Sequence, residues 1–127
     1  MSTGRFRPLA GCAVNRKKQV RAAFRVAVFT RDGYRCRCCG VAGRDRQADP
    51  TGTLPPLDAH HITDRTQMPH GGYVPENGIS LCDGCHLLAE QFWQTGTPAP
   101  GFAPDDLYRR IGSTREQAEA ASHRMGE

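Results

Sequence analysis

The sequence predicts a small α+β domain, with helices at both ends of the chain and short strands between them. A length of 127 residues leaves room for one compact domain with a modest core. Apolar residues near the N-terminus recur with helical spacing, while the middle of the chain holds only short apolar runs between turn-forming residues. Pairs of cysteines on either side of that middle segment indicate that a bound metal ion stabilises the small core.

The N-terminal third is predicted to be an arm followed by a helix. Residues 1–17 have no clear apolar period and predict a flexible basic arm. From Lys18 to Arg31 apolar residues return every three or four positions, which predicts a helix that stops near Gly33. Residues 43–56 are rich in turn-forming residues and predict a loop.

Two short strands and a helix are predicted in the middle of the chain. Leu57 to Ile62 and Gly78 to Leu81 are strand candidates, and the long polar segment between them predicts a loop. His86 to Trp93 predicts a helix. Residues 95–127 begin with a connector rich in Pro and Gly and continue into two short helices. These boundaries leave a central domain over residues 18–94.

Positive charge is concentrated at the N-terminal end. Residues 1–46 carry twelve Lys and Arg against two Asp, whereas the rest of the chain carries five basic and eleven acidic side chains, and the net charge is +4. This distribution is typical of a chain whose N-terminal part contacts a polyanion. A solvated basic helix accounts for the same charges, and the charge alone leaves both interpretations open.

The sequence gives no sign of a membrane anchor or an export signal. No apolar run approaches the roughly 20 residues that cross a bilayer. The stretch PLAGC, Pro8 to Cys12, is similar to a lipoprotein cleavage site, but the residues before it include no apolar region of the about 7–15 residues that a signal peptide requires. The sequence therefore predicts a cytoplasmic protein without a membrane partner.

The six cysteines include two C-x-x-C pairs. Cys36 and Cys39 form the first pair, and Cys82 and Cys85 form the second. Four thiolates at this spacing are typical of a structural, tetrahedral Zn²⁺ site, because a two-residue gap lets both sulfurs of a pair reach one ion. Such an ion is expected to contribute much of the folding free energy of so small a core.

Two alternatives concern these cysteines. Disulfide bonds would account for paired cysteines, but they are rare in the reducing cytoplasm that the sequence predicts. Cys38 lies inside the first pair and could replace either Cys36 or Cys39. The two-residue spacing favours Cys36 with Cys39.

Histidines lie between and beside the cysteine pairs. His60 and His61 are adjacent in LDAHHI, Asn77 lies in GGYVPENGISLCDGCHLLAE, and His86 directly follows the second cysteine pair. Together with VFTRDGYRCRCCG around the first pair, this order of motifs resembles the HNH endonucleases of the ββα-metal superfamily. The resemblance covers roughly Phe29 to Gln91 and implies a zinc-stabilised ββα-metal core within the central domain.

The resemblance implies a metal-dependent DNA endonuclease or nickase, and it implies a role for each residue. His60 and His86 are expected to hold a divalent metal, and His61 to activate water as the general base. Asn77 is expected to fix the loop and orient the base, or to bind the metal itself. A neutral imidazole can accept a proton from water near neutral pH, and a cation offsets the charge that develops at the scissile phosphate. The expected catalytic metal is Mg²⁺, Mn²⁺, Ni²⁺ or Zn²⁺.

Three acidic residues lie close to these positions. Glu90 follows His86 by four residues and shares its helical face, so it is a further candidate ligand, with a solvated glutamate as the alternative. Asp58 and Asp64 flank the histidine pair and are interpreted as surface acids, with a hydrogen bond to a histidine as the alternative.

DNA is the expected partner, bound mainly through its backbone phosphates, so its affinity should fall with salt. The candidate phosphate contacts are basic residues of the N-terminal segment and one beside the histidine pair: Arg16, Lys17, Lys18, Arg21, Arg25, Arg31, Arg35 and Arg65. Two alternatives are a catalytically inactive zinc-stabilised DNA-binding module and a zinc domain that binds protein. Cleavage of both strands by one small site would require a second copy, which leaves a homodimer open.

Overall fold

The computed structural model describes residues 12–126. Its helices and strands, in chain order, are α1 Cys12–Arg31, β1 Arg44–Asp45, β2 Pro56–His61, β3 Gly78–Cys82, α2 Asp83–Thr95, α3 Pro104–Arg110 and α4 Arg115–Arg124. Three short 3₁₀ turns lie between β2 and β3. The predicted small α+β fold, with helices on both sides of a strand pair, is confirmed. None of the helices within the described residues is long and apolar enough to cross a bilayer.

Helix α1 begins earlier than the apolar pattern predicts. The helix starts at Cys12, so residues 12–17, which the sequence placed in a flexible arm, are helical. An apolar period appears only where a helix packs against the core. Arg16, Lys17 and Gln19 are exposed, and the good helix propensity of Arg, Lys and Gln favours a helix there without an apolar pattern. The rest of the predicted arm, residues 1–11, lies outside the described residues. Gly33 follows the helix with φ +66°, a conformation that glycine adopts readily.

The three strands form one sheet in the order β1-β2-β3. β2 and β3 are antiparallel, with His60 opposite Ile79 and His61 opposite Gly78. β1 pairs in parallel with the start of β2 and lies inside the segment predicted to be a loop. A strand of two residues is too short to show an alternating pattern, which explains why the sequence does not reveal it.

Gly78 lets α1 lie directly against the strand pair. A Cβ atom at this position would be 2.5 Å from Val28 Cγ2 and 2.7 Å from Phe24 Cζ, closer than carbon atoms can approach. Both of these α1 side chains are buried. The close approach occurs beside His61, which is opposite Gly78 in the register.

The C-terminal helices share the core with the strand pair. Leu107 of α3 and Ala118 of α4 belong to the same buried cluster as Ile79 and Leu81 of β3. Ser113, between the two helices, donates a hydrogen bond to the carbonyl of Glu76 at 2.9 Å. The connection between β2 and β3 is therefore covered by the C-terminal helices.

Candidate active site

The four cysteines of the two C-x-x-C pairs lie together. The Sγ atoms of Cys36, Cys39, Cys82 and Cys85 are all within 4.8 Å of one another, and those of Cys39 and Cys82 are 3.6 Å apart. Four sulfurs arranged tetrahedrally at about 2.3 Å from Zn²⁺ lie about 3.8 Å from each other. The cluster therefore has the donor atoms and the spacing that a structural zinc ion requires.

The local backbone places these thiols and favours the thiolate form of one of them. Cys82 ends β3 and Cys85 lies in the first turn of α2, while the other pair lies in the turn after α1. Burial opposes ionisation of Cys36, but backbone N–H groups, including that of Cys39, lower its pKa to about 7. Cys38 stays outside the cluster, and burial raises its pKa to about 11.

A second cluster consists of His60, His86 and Glu90, whose candidate ligand atoms lie within 4.8 Å of one another. Glu90 Oε2 is 3.3 Å from His60 Nδ1 and 3.2 Å from His86 Nε2. The two α2 residues are one helical turn apart and share a face, which turns them together towards β2. The sequence allows Glu90 to be either a metal ligand or a solvated glutamate. Its carboxylate lies between the two histidine rings, where a ligand would lie.

Asp58 orients His86 from the strand. Its Oδ2 atom is 3.2 Å from His86 Nδ1, which leaves Nε2 of the same ring directed at Glu90. This hydrogen bond raises the pKa of His86 and lowers that of Asp58 to about 2. Asp58 and His60 are two residues apart on β2 and so point to the same side. The interpretation of Asp58 as a surface acid is wrong, because strand alternation carries it to the histidine cluster.

The charge state of the cluster suits a cation. Burial lowers the pKa of His60, which is 3% exposed, and thereby favours its neutral form. The hydrogen bond with His60 lowers the pKa of Glu90, so this carboxylate is ionised. Two imidazoles and a carboxylate are common ligands of divalent transition metals, and a cation replaces the proton of a ligating histidine.

His61 contacts a different helix from its neighbour. Its ring stacks on Phe24 of α1, with centroids 4.5 Å apart, and meets Tyr73 edge-on at 4.7 Å. Burial, together with the positive charge of Arg65, lowers the pKa of His61 to about 4. The imidazole is therefore neutral near pH 7 and able to accept a proton. Its Nε2 atom is buried without a hydrogen-bond partner among the described residues, as is that of His60.

Asn77 fastens the backbone that follows His61. Its Oδ1 atom accepts hydrogen bonds from Thr63 N at 3.0 Å and from the Tyr108 hydroxyl at 2.7 Å. Its Nδ2 atom donates to the carbonyls of Thr63 and Gly72 at 3.1 and 3.2 Å. The side chain is completely buried. These four bonds occupy both amide hydrogens and both lone pairs of Oδ1, so the Asn77 side chain has no atom left to bind a metal ion.

Part of the chain matches a known protein family. Residues 36–91 match the family model described as HNH endonuclease. The chain contains an HNH endonuclease domain. The matched range includes both clusters, together with His61 and Asn77. No curated protein and no solved structure matches the chain.

A cavity next to His61 is lined partly by residues from outside the HNH domain. It has a volume of about 330 Å³, and its walls include Arg21 and Arg25 of α1 together with Arg65 and Tyr73. Arg65 donates a hydrogen bond to the Tyr73 hydroxyl at 2.9 Å, which holds the guanidinium beside the cavity. Three arginines thus line the cavity beside the neutral histidine, and one of them, Arg25, also contacts Asp45 at 3.2 Å.

The other predicted phosphate contacts differ in whether their side chains are exposed or already bonded within the protein. Arg16, Lys17, Lys18 and Arg35 are exposed. Arg31 instead donates to the carbonyls of Pro75 and Gly78 at 2.7 and 2.6 Å and contacts the neighbouring Asp32. The Arg31 guanidinium thus holds β3 against α1 and is not free to contact a phosphate.

Tyr108 is a residue of the site that sequence reasoning missed. It lies on α3, outside the HNH domain, and is 2% exposed. Its hydroxyl is 2.7 Å from both Asn77 Oδ1 and Thr63 Oγ1. A tyrosine in a short amphipathic helix looks like an ordinary core residue, and no spacing rule relates it to Asn77, 31 residues earlier.

Proposed function

We propose that the HNH domain hydrolyses phosphodiester bonds of DNA in the presence of a divalent metal. One observation carries the proposal: His60, His86 and Glu90 converge on one point, while the adjacent His61 is neutral and opens onto an arginine-lined cavity. A domain that only bound DNA would need none of this arrangement.

The metal would be held by His60, His86 and Glu90, with Asp58 orienting His86. When bound, such a cation offsets the negative charge that develops on the phosphate oxygens and on the leaving oxygen. A carboxylate is a harder ligand than an imidazole, so a site with Glu90 in place of a third histidine is better suited to hard ions such as Mg²⁺ and Mn²⁺. The candidate ions are Mg²⁺, Mn²⁺, Ni²⁺ and Zn²⁺.

His61 is the general base of the proposed reaction. Its neutral ring takes a proton from a water molecule, whose oxygen forms a bond to phosphorus while the bond from phosphorus to the leaving sugar oxygen breaks. Phe24 and Tyr73 contact the ring on its face and edge and limit its rotation. Asn77 fastens the adjoining backbone and so keeps the base in place.

The proposed DNA-binding surface combines the cavity with the exposed part of α1. Arg21 and Arg65 would hold the phosphate next to His61, and Arg25, whose Nε is 3.2 Å from Asp45 Oδ2, would lie beside them. The exposed basic residues would contact phosphates further along the backbone; they are Arg16, Lys17, Lys18 and Arg35. The cysteine cluster would hold a structural Zn²⁺ that fixes the start of α2 and hence His86.

The deciding experiment is cleavage of supercoiled plasmid by the purified protein with each candidate ion, beside an EDTA control and the variant His61→Ala. We expect nicked or linear DNA that requires both metal and His61. Removal of a general base typically lowers the rate by about 10²–10⁴-fold. His61 borders a cavity and is not part of the central core, so the variant should fold and bind DNA.

The other outcomes would overturn either the assigned base or the proposed function. Equal cleavage by His61→Ala would rule out the assigned base. DNA that is retained in a gel shift but never cut with any ion would identify a DNA-binding module on the same scaffold. Absence of both binding and cleavage would leave a zinc domain that binds protein.

A further inference from the structure

Tyr108 reaches the site from a helix that the HNH domain does not include. The ring of Tyr108 is packed in the core with Leu107 and Ala118, and only its hydroxyl makes polar contacts. That hydroxyl lies 2.7 Å from Asn77 Oδ1 and 2.7 Å from Thr63 Oγ1. α3 is therefore linked to the loop after His61 by a short chain of buried hydrogen bonds.

The available hydrogens determine which group donates in each of these hydrogen bonds. Asn77 Oδ1 can only accept, so the Tyr108 hydroxyl donates its single hydrogen to it. The Thr63 hydroxyl must then donate to the oxygen of Tyr108. Asn77 cannot turn its amide around, because Nδ2 donates to two carbonyls and Oδ1 accepts from the Thr63 amide. Only one arrangement satisfies every partner.

Asn77, Thr63 and Tyr108 also hold the backbone in place where the pairing of β2 with β3 ends. His61 and Gly78 are the last paired residues of β2 and β3 at this end. Beyond them, Ile62 N donates to the carbonyl of Asn77 at 2.9 Å, and Thr63 exchanges two hydrogen bonds with the Asn77 side chain. Asn77 thus extends the pairing past His61, and Tyr108 fixes the amide that does so.

We propose that Tyr108 is a positioning residue of the nuclease, whose hydroxyl holds His61 in place through Asn77 and Thr63. The inference rests on the proposed function, since it concerns the placement of the base in that reaction. It also makes α3 a required part of the nuclease, although α3 lies outside residues 36–91.

The variant Tyr108→Phe isolates the hydroxyl, because it keeps the packed ring. We expect kcat for metal-dependent nicking to fall by about tenfold or more, since small misplacements of a catalytic group are costly, while KM changes less than about twofold. Tyr34→Phe is the matched control, because it removes the same atom from an exposed side chain. Thr63→Val removes the other hydroxyl that is bonded to Tyr108. It should lower kcat less than Tyr108→Phe does, since Tyr108 keeps its hydrogen bond to Asn77.

A second measurement does not depend on catalysis. Amide hydrogen exchange reports local opening of the backbone, so exchange at the Thr63 amide should accelerate by about tenfold in Tyr108→Phe, while the amides of β3 stay protected. A purely structural role of Tyr108 would raise exchange throughout the core instead.

The outcomes separate this inference from the proposed function. If the wild-type protein nicks DNA and Tyr108→Phe nicks it with the same kcat, the inference is overturned and the nuclease stands. Equal losses in Tyr108→Phe and Tyr34→Phe would also overturn it. If the wild-type protein does not nick DNA, the proposed function fails, and exchange at Thr63 alone decides whether Tyr108 positions the loop.

Discussion

At the scale of single residues, Glu90 provides the one carboxylate of the proposed metal site. The variant Glu90→Gln keeps the side-chain size but removes the charge that faces His60 and His86. We expect the metal concentration that gives half-maximal nicking to rise by about tenfold or more, because a neutral amide is a poorer partner for a cation. The measurement is the nicking rate against Mn²⁺ concentration.

The control for this prediction is Glu119→Gln. Glu119 is a partly exposed carboxylate on α4, and its Oε2 is 3.9 Å from Arg115 Nε. An unchanged metal requirement in Glu90→Gln would show that the carboxylate is a surface acid that happens to lie beside the histidines.

The residues of the site differ in how far the sequence reveals them. The cysteine spacing and the histidine pair indicate chemistry directly, because ligands of one ion must be close and short spacings bring them close. Asp58 and Tyr108 carry no such signal. Their roles depend on strand alternation and on the packing of a helix from beyond the motif, and both are set by the whole fold.

At the scale of elements, the cysteine cluster joins the end of α1 to the start of α2. Cys39 and Cys82 are 43 residues apart in the chain, and a crosslink that closes a loop of this length removes roughly 4 kcal/mol of unfolded-state entropy in the chain-entropy model. We expect Cys82→Ser to lose zinc and to unfold or melt at a markedly lower temperature. Metal analysis and thermal melting followed by circular dichroism measure both effects.

Cys38→Ser is the matched control, because Cys38 lies beside the cluster without belonging to it. It should keep one zinc ion per chain and nearly the wild-type melting temperature. A fully folded Cys82→Ser protein that still binds zinc would contradict the assignment of the four ligands.

The sequence predicts elements best where they are long and amphipathic. α2 begins three residues before the predicted His86, because Asp83 and Gly84 carry no apolar pattern even though an acidic residue suits the first turn of a helix. α1 begins at Cys12 for a similar reason, and β1 is too short to be periodic. In each of these segments the structure is determined by the adjoining elements, and the local sequence carries no pattern that would predict it.

At the scale of the whole molecule, the positive charge of α1 is expected to control DNA affinity. Reversing the charge of two exposed residues, Lys17→Glu with Lys18→Glu, should weaken binding and reduce the slope of log K against log salt by about two, since each phosphate contact contributes about 0.9. Gel shifts over a range of salt concentrations provide the test. Reversal of Arg115 and Arg124 on α4 is the control.

Unchanged affinity and slope in the α1 variant would place the DNA-binding surface elsewhere. A loss of the same size in the α4 variant would mean that net charge, and not the position of α1, determines the affinity.

The contact between Gly78 and α1 has a consequence for the length of DNA that the proposed binding surface would need. Because Phe24 touches both Gly78 and His61, the helix and the base keep a constant separation. Lys17 precedes Phe24 by two helical turns, or about 10 Å along the axis. Successive nucleotides of one strand rise about 3.4 Å, so this interval corresponds to about three nucleotides. In the proposed complex with DNA, the footprint on one side of the cleaved bond would therefore be set by α1, which lies outside the HNH domain. DNA that ends less than about three nucleotides from that bond would reach His61 without contacting Lys17.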